Sequence, residues 1–332
     1  MHVLVTDHFH RVYGLSLRSN VALAGIPVEH DVSNDAAVRV WWRPCEVPDL
    51  SSPAWRVIRR PAHATQPQAS KNRRGDRALS WGRHLVLLYD SAGTAIRMSS
   101  VCPDKLTAAL VVLQGIGLGY CLRLRQVLCM HGAVVERDGA AIALLGLAGA
   151  GKSTLAASLI QRGFALVADD LVVLERHGDD VVVPPGYPAL RLAGDALAEL
   201  SLPADHLRVV PWTNKHYWDV SAAGSDRICA RAVPLAAMYV LCPADDAEPA
   251  AVTPVGGPAA LAMLCAAQYP PDMPHLLTPQ QVELCAHIVR TLPIHALRGT
   301  PIWQQRPALT ELLVRHVDAV LCRGAVRGGR QP

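Results

Sequence analysis

The segment from Gly146 to Thr154, GLAGAGKST, has the residue types and spacing of a phosphate-binding loop, G-x-x-x-x-G-K-[ST], with an extra glycine inside it. Gly146, Gly149 and Gly151, with the small Ala150 between them, let backbone N–H groups turn inward around phosphate oxygens, and a helix start adds positive potential. Lys152 is then placed to reach the β- and γ-phosphates of a nucleoside triphosphate. Ser153 and Thr154 close the loop, with the Ser153 hydroxyl on Mg²⁺. Two carboxylates, Asp169 and Asp170, follow Lys152 by 17 and 18 residues. Large motor and transporter ATPases carry their acidic strand much farther along the chain, so this spacing suits a kinase. One carboxylate holds Mg²⁺ while its neighbour accepts the proton of an attacking hydroxyl. The expected cofactors are ATP and Mg²⁺.

These groups need a strand before the loop and a helix after it. Ala141 to Leu145 is an apolar strand, and 152–162 reads as a helix with Leu155 and Leu159 inward. A further strand, 164–168, delivers Asp169 and Asp170 at its C-terminal end, where ligands gather in open α/β sheets, and alternation points the two carboxylates differently. Upstream, Asp138-Gly139 is the signature of a two-residue hairpin turn. In that register Arg137 faces Ala140 and His131 faces Gly146, beside the phosphates, where an imidazole donates to a phosphoryl oxygen or shares a proton with the Asp169 region. Other helices are expected at 103–122, 193–200, 257–268, 279–291 and 307–321, with strands at 127–136, 140–145, 171–176, 235–241 and 294–298. The fold class is α/β, a kinase core built on a mixed sheet. A smaller β-rich module precedes it, with strands at Val38–Trp42 and Leu79–Trp81 and a hairpin of His84–Tyr89 and Thr94–Met98. The proline-rich and then basic stretch 51–77 reads as an exposed loop, its Arg-Gly-Asp a chance tripeptide. The domains are 1–100, 101–322 and a basic tail at 323–332.

His131-Gly132 with its hairpin, GLAGAGKST, and RGFALVADD from Arg162 to Asp170 resemble the catalytic core of the HPr serine kinase/phosphorylase family and its HPr-kinase-like relatives. The dense resemblance covers about 45 residues around the loop. More loosely, Tyr13 to Ser19, Pro185-Gly-Tyr-Pro188 with Leu190-Arg-Leu192, and Val233 to Leu241 are similar to HPr-kinase-like proteins encoded beside peptide-modification pathways, including those for lasso peptides. The resemblance implies that Asp169 is the general base, Asp170 a metal-site residue and His131 the histidine near the transferred phosphate. It further implies a peptide or protein partner with an acceptor serine. The bifunctional family usually has serine where this loop has Ala148, and a later Glu-Arg-Gly signature that this sequence lacks. The reverse reaction and HPr as acceptor are therefore not carried over, while phosphorylation of a hydroxyl is. A small-molecule kinase, or a nucleotide-dependent regulator with slow ATPase activity, is the alternative.

Composition sets the remaining bounds. The 332 residues are 51% apolar and carry 32 basic against 28 acidic residues, a net +4 with no long block of one sign, so no nucleic-acid partner is expected. Nine scattered cysteines, an odd number with no CxxC pair, read as reduced and mostly buried thiols. The start MHVLVTDHFHRVYG lacks the parts of a secretory signal, and the apolar run Leu106 to Leu122 is broken by Gln114 and three glycines. It reads as a buried helix, with no membrane partner and a cytoplasmic protein. Oligomeric state is open, a homo-oligomer included. Only four lysines occur, so Lys215 in Thr213-Asn-Lys-His-Tyr-Trp218 stands out, although a surface role is the expectation. Arg191 and Arg227 are further cations with no spacing to choose between them. Trp212, Tyr217 and Trp218 form an aromatic cluster suited to an extended peptide.

Overall fold

A computed structural model describes residues 7–29, 38–63, 66–202, 207–210, 213–243, 249–270, 276–299 and 306–328. The chain divides into two compact units, Met1–Val127 and Leu128–Pro332.

In the first unit, eight short strands form one sheet: β1 (His8–Val12), β2 (Leu15–Ser19), β3 (Val38–Trp42), β4 (Trp55–Arg59), β5 (Gln68–Asn72), β6 (Arg77–Trp81), β7 (Leu85–Tyr89) and β8 (Ala95–Ser99). Their order is β1-β2-β3-β8-β7-β6-β5-β4. The expected hairpin is present as β7 and β8. The stretch 51–77, expected to be a loop, instead contains β4 and β5. Its Arg-Gly-Asp forms the β5–β6 turn, where Asn72 and Asp76 exchange side-chain hydrogen bonds. Proline and charge hid these strands because β4 lies at the sheet edge, with Val57 and Ile58 exposed.

The apolar run of residues 103–124 forms α1 (Leu106–Val112) and α2 (Leu118–Leu124), joined by a wider turn at Leu113–Gly117. By length and composition it is apolar enough to cross a membrane, but 72% of that window is buried. It packs within the first unit. The Tyr89 hydroxyl donates to the Gly117 carbonyl, the Gln114 amide to the Ala24 carbonyl, and the Cys121 thiol to the Gly93 carbonyl. The division of the chain therefore falls at Val127, where the sequence pattern placed it at 100, because this apolar helix pair has its burial partners in the preceding strands.

The second unit opens on the hairpin of β9 (Cys129–Arg137) and β10 (Ala140–Gly146), followed by α3 (Lys152–Gln161) and β11 (Ala165–Val173). Then come β12 (Glu175–His177), β13 (Asp180–Val183), β14 (Ala189–Ala193), α4 (Gly194–Glu199), β15 (Arg208–Val209), β16 (Lys215–Asp219), β17 (Val233–Pro243) and β18 (Ala251–Val255). The unit ends with α5 (Gly257–Ala266), α6 (Pro279–Thr291), β19 (Ile294–Gly299) and α7 (Arg306–Gly328). The main sheet is mixed: β10 pairs parallel with β17 and β17 with β19, while β9 is antiparallel to both β10 and β11. Its central strand β10 is buried from Ala141 to Leu145. Leu155 and Leu159 of α3 pack with Leu144, Tyr239 and, from α7, Leu313 in the core. A separate three-stranded sheet, β14-β16-β15, lays Leu190, Leu192 and Trp218 onto the same core.

Two boundaries differ from the sequence pattern. The segments 164–168 and 171–176 are largely one strand, β11, so Asp169 and Asp170 lie within it and not at its end. Helix α7 runs to Gly328, so the first residues of the basic tail are helical, and 329–332 lie outside the described residues. All nine cysteines are free; four are buried, while Cys45 and Cys322 are exposed.

Candidate active site

The loop that joins β10 to α3 relies on backbone angles open to glycine. Gly149 and Gly151 have φ of +81° and +86°, and Gly151 caps α3. Lys152, the first residue of the helix, is buried; its Nζ donates to the carbonyls of Gly146 at 2.9 Å and Leu147 at 2.8 Å, across the mouth of the loop. Burial pushes its pKa down to about 8, against the pull of Asp169 and Asp170, while the charge of Lys215 pushes the same way as burial.

Helix α3 and strand β11 meet at the Ser153 hydroxyl, which donates to Asp169 Oδ1 at 2.8 Å. Asp169 Oδ2 accepts from the backbone N–H of Arg191 at 2.9 Å. Its carboxyl is buried, which raises its pKa, and the charge of Asp170 adds to that rise. Asp170 points elsewhere, as alternation requires. Its Oδ2 accepts from Arg191 Nη1 at 2.7 Å and from the Tyr269 hydroxyl at 3.0 Å, and its Oδ1 lies 3.5 Å from His131 Nδ1. Burial would raise this carboxyl, but the Arg191 guanidinium, the imidazole and the phenol outweigh it and hold the pKa well below the carboxylate range. Asp170 sits at φ +70°, a left-handed backbone inside a strand, the kind of conformation that collects at functional sites.

The β9–β10 register is the one the hairpin signature predicts, with Arg137 opposite Ala140 and Gly132 opposite Leu145; Asp138 and Gly139 both have positive φ. On its other side β9 places Gly132 opposite Asp170 and His131 opposite Leu171. A Cβ on Gly132 would come within 2.7 Å of both the Leu144 carbonyl oxygen and Leu145 Cδ2, so a glycine here lets the three strands close. His131 Nδ1 donates to the Asp170 carbonyl at 3.2 Å, which fixes the tautomer and leaves Nε2 as the acceptor.

Residues 123–189 match the family described as HPr Serine kinase C-terminal domain. Among curated relatives, the HPr kinase/phosphorylase of Prosthecochloris aestuarii is 45% identical over 56 residues, 17% of this chain and 16% of the relative. That of Chloroherpeton thalassium is 44% identical over 61 residues, 18% of each chain. The chain thus spans less than a fifth of the length of the curated relatives it matches. Among solved structures, the Hpr(Ser) kinase/phosphatase from Coxiella burnetii is 15% identical, covering 57% of this chain and 95% of that one with a TM-score of 0.33.

The HPr-kinase-type segment supplies His131, the loop, Asp169 and Asp170, while Arg191, Lys215 and Tyr269 come from beyond it. The structure brings Arg191 to both carboxylates. Arg227 is elsewhere: it pairs with Asp226 and lies beside Gly163, at the opposite end of α3 from the loop, about 15 Å along a helix of that length. The expected aromatic cluster is not a surface platform. Trp218 is in the core, Tyr217 is buried on the opposite face of the same strand, and Trp212 lies outside the described residues. Tyr269 went unrecognised in the sequence because it follows α5 in a proline-rich stretch, far along the chain from Asp170, with no motif around it.

The Ser153 hydroxyl presents a hard oxygen donor at the loop, which fits Mg²⁺, an ion that takes one or two protein oxygens and completes its shell with phosphates and water. Among the described residues there is no cluster of three or more His, Cys, Asp or Glu able to hold a metal unaided. The resemblance implied Asp170 beside Ser153 on the metal; the structure turns Asp170 to Arg191, Tyr269 and His131, and Ser153 to Asp169.

Proposed function

We propose that this protein is an ATP-dependent kinase that transfers the γ-phosphoryl group to a serine hydroxyl of a peptide or protein. The Ser153–Asp169 contact carries the reading, because it sets a metal-binding hydroxyl and a carboxylate base beside a glycine loop whose Lys152 is already aimed across the phosphate position. Mg²⁺, when bound, would neutralise charge on the β- and γ-phosphates. Lys152 holds those phosphates from the loop side, and the raised Asp169 carboxyl accepts the proton of the attacking serine. Asp170 stays anionic and fixes Arg191 and His131 at the edge of the site. His131, held by Asp170, is a weaker participant.

The relatives' name makes HPr one candidate acceptor. Missing Glu-Arg-Gly residues and Ala148 favour a one-way kinase, and the looser resemblance to kinases of peptide-modification pathways favours a serine on a flexible peptide. The edge strand β4, with Val57 and Ile58 exposed, offers an extended chain a place to pair. Such a kinase would work where ATP is held, in the cytoplasm.

The test is to incubate the protein with γ-labelled ATP and Mg²⁺, separately with HPr, small alcohols and the precursor peptide encoded nearest its gene. Label on a serine of the peptide supports the full reading, and label on HPr keeps the kinase while removing the peptide. Label on a metabolite, or only free phosphate, replaces the reading with the small-molecule kinase or the slow regulator.

A further inference from the structure

The three-stranded sheet has a second face that the reading above does not use. Leu190, Leu192 and Trp218 alternate toward the core, so Arg191, Ala193, Lys215 and Tyr217 share the other face. Pairing puts Arg191 opposite Tyr217, Tyr217 opposite Arg208, and Ala193 opposite Lys215. The side chains agree with the register: the Arg191 and Arg208 guanidinium groups lie 5.4 and 4.7 Å from the Tyr217 ring centroid, and Arg208 also meets the Tyr187 hydroxyl. Because Arg191 reaches Asp170, this face is turned to the loop and its carboxylates.

Two groups on it are unexplained. The Tyr217 hydroxyl belongs to a side chain only 4% exposed, yet it has no hydrogen-bond partner among the described residues. Burial raises its pKa against the pull of Arg191, so it remains a donor. Lys215 is half-buried, shows no side-chain partner among the described residues, and stands next to the Arg191–Tyr217 pair on this face. Together Lys152, Arg191, Arg208 and Lys215 set four cations against Asp169, Asp170 and, at the far end of this face, Asp219. A partly dry face with surplus positive charge and an unsatisfied donor calls for an anion.

We propose that Lys215 and Tyr217 bind the phosphoryl group during its transfer, Lys215 as a second cation opposite Lys152 and Tyr217 as a hydrogen-bond donor. This rests on the kinase reading and adds two residues that touch the reacting group. In the step, the bond between the γ-phosphorus and its bridging oxygen breaks, the serine oxygen bonds to that phosphorus, and the serine proton passes to Asp169. ADP leaves with the bridging electrons, and Lys215 and Tyr217 donate hydrogen bonds while keeping their own protons. Groups positioned this way act on charge that spreads over the equatorial oxygens in the transition state more than on bound ATP.

The experiment compares the wild-type protein with Lys215→Met, Lys215→Arg and Tyr217→Phe. Calorimetry measures Mg-ADP binding with and without aluminium fluoride, which mimics the phosphoryl group in flight, alongside kcat and KM for ATP. Expected for Lys215→Met is a fall in kcat of roughly 10²-fold with KM within about threefold, and an equal loss of the affinity gained from fluoride. Lys215→Arg restores part of that gain, and Tyr217→Phe loses about tenfold. A folded Lys215→Met protein that keeps the wild-type fluoride gain overturns this proposal and leaves the kinase standing. A wild-type protein that binds no Mg-ADP overturns both.

Discussion

Lys152 carries the sharpest residue-level consequences. Its Nζ spans the loop and must be protonated to hold phosphate, yet burial lowers its pKa to about 8. For the free enzyme, kcat/KM for ATP should therefore fall as pH rises through about 8, with kcat less affected once bound phosphates hold the proton on; a pH–rate series checks both limbs. The same shift has a stability sign. The folded pKa lies below the unfolded value near 10.4, so above pH 8 the unfolded chain binds more protons and stability without nucleotide rises up to that value. Lys152→Ala should leave the circular dichroism spectrum in place and lower transfer by at least 10²-fold. Asp170 gives the same slope in a lower window: its folded pKa is depressed, so its contribution is present above the unfolded value near 3.9 and lost as pH falls below it. Asp170→Asn removes the anion that the partly buried Arg191 meets and should cost about 1–3 kcal/mol by urea unfolding, whereas Asp169→Asn should abolish transfer at a smaller cost. The loop, the carboxylate pair and His131 were legible in sequence because their spacing is local. The different surroundings of the two carboxylates were not, because they depend on Arg191 and Tyr269 arriving from a strand and a turn that no local pattern ties to β11.

Among the elements, the β9–β10 hairpin shows how far turn chemistry reaches. Asp138-Gly139 fixed the register, and the register alone placed His131 next to the loop. Helix α6 was equally legible: Thr278 and Gln281 form a reciprocal cap before Pro279, and the helix spans the residues its pattern indicated. The strands β4, β5 and β14 to β16 were harder to find, because β4, β14 and β15 are short edge strands and β5 and β16 carry charged and polar residues that blur the alternation. Strand β9 also yields a test of close packing. Gly132→Ala forces a methyl to within 2.7 Å of a backbone oxygen on β10, so the hairpin must part from its neighbour. A loss of about 1–3 kcal/mol and several degrees in Tm is expected, with a fall in Mg-ATP affinity as the loop shifts; differential scanning calorimetry and titration read the two effects separately.

At the scale of the whole molecule, every group assigned to the site lies between His131 and Tyr269, within the second unit. Residues 128–332 expressed alone should bind Mg-ATP with the affinity of the full chain, as judged by calorimetry, while phosphorylation of a peptide acceptor should weaken if the first unit recognises it. Loss of nucleotide binding in the shortened chain would show that the second unit does not hold its site unaided. Asp170 is the point at which that unit is tied together, since it meets Arg191 on β14, Tyr269 after α5 and His131 on β9 while its own backbone is left-handed. Glycine and asparagine tolerate that backbone best among the alternatives, and neither carries a negative charge; glutamate carries the charge but strains the backbone and overshoots by a methylene. In a saturating substitution library, position 170 should separate into variants that fold without activity and variants that do neither. Lineages descending from this chain would then have no gradual route by which to replace it.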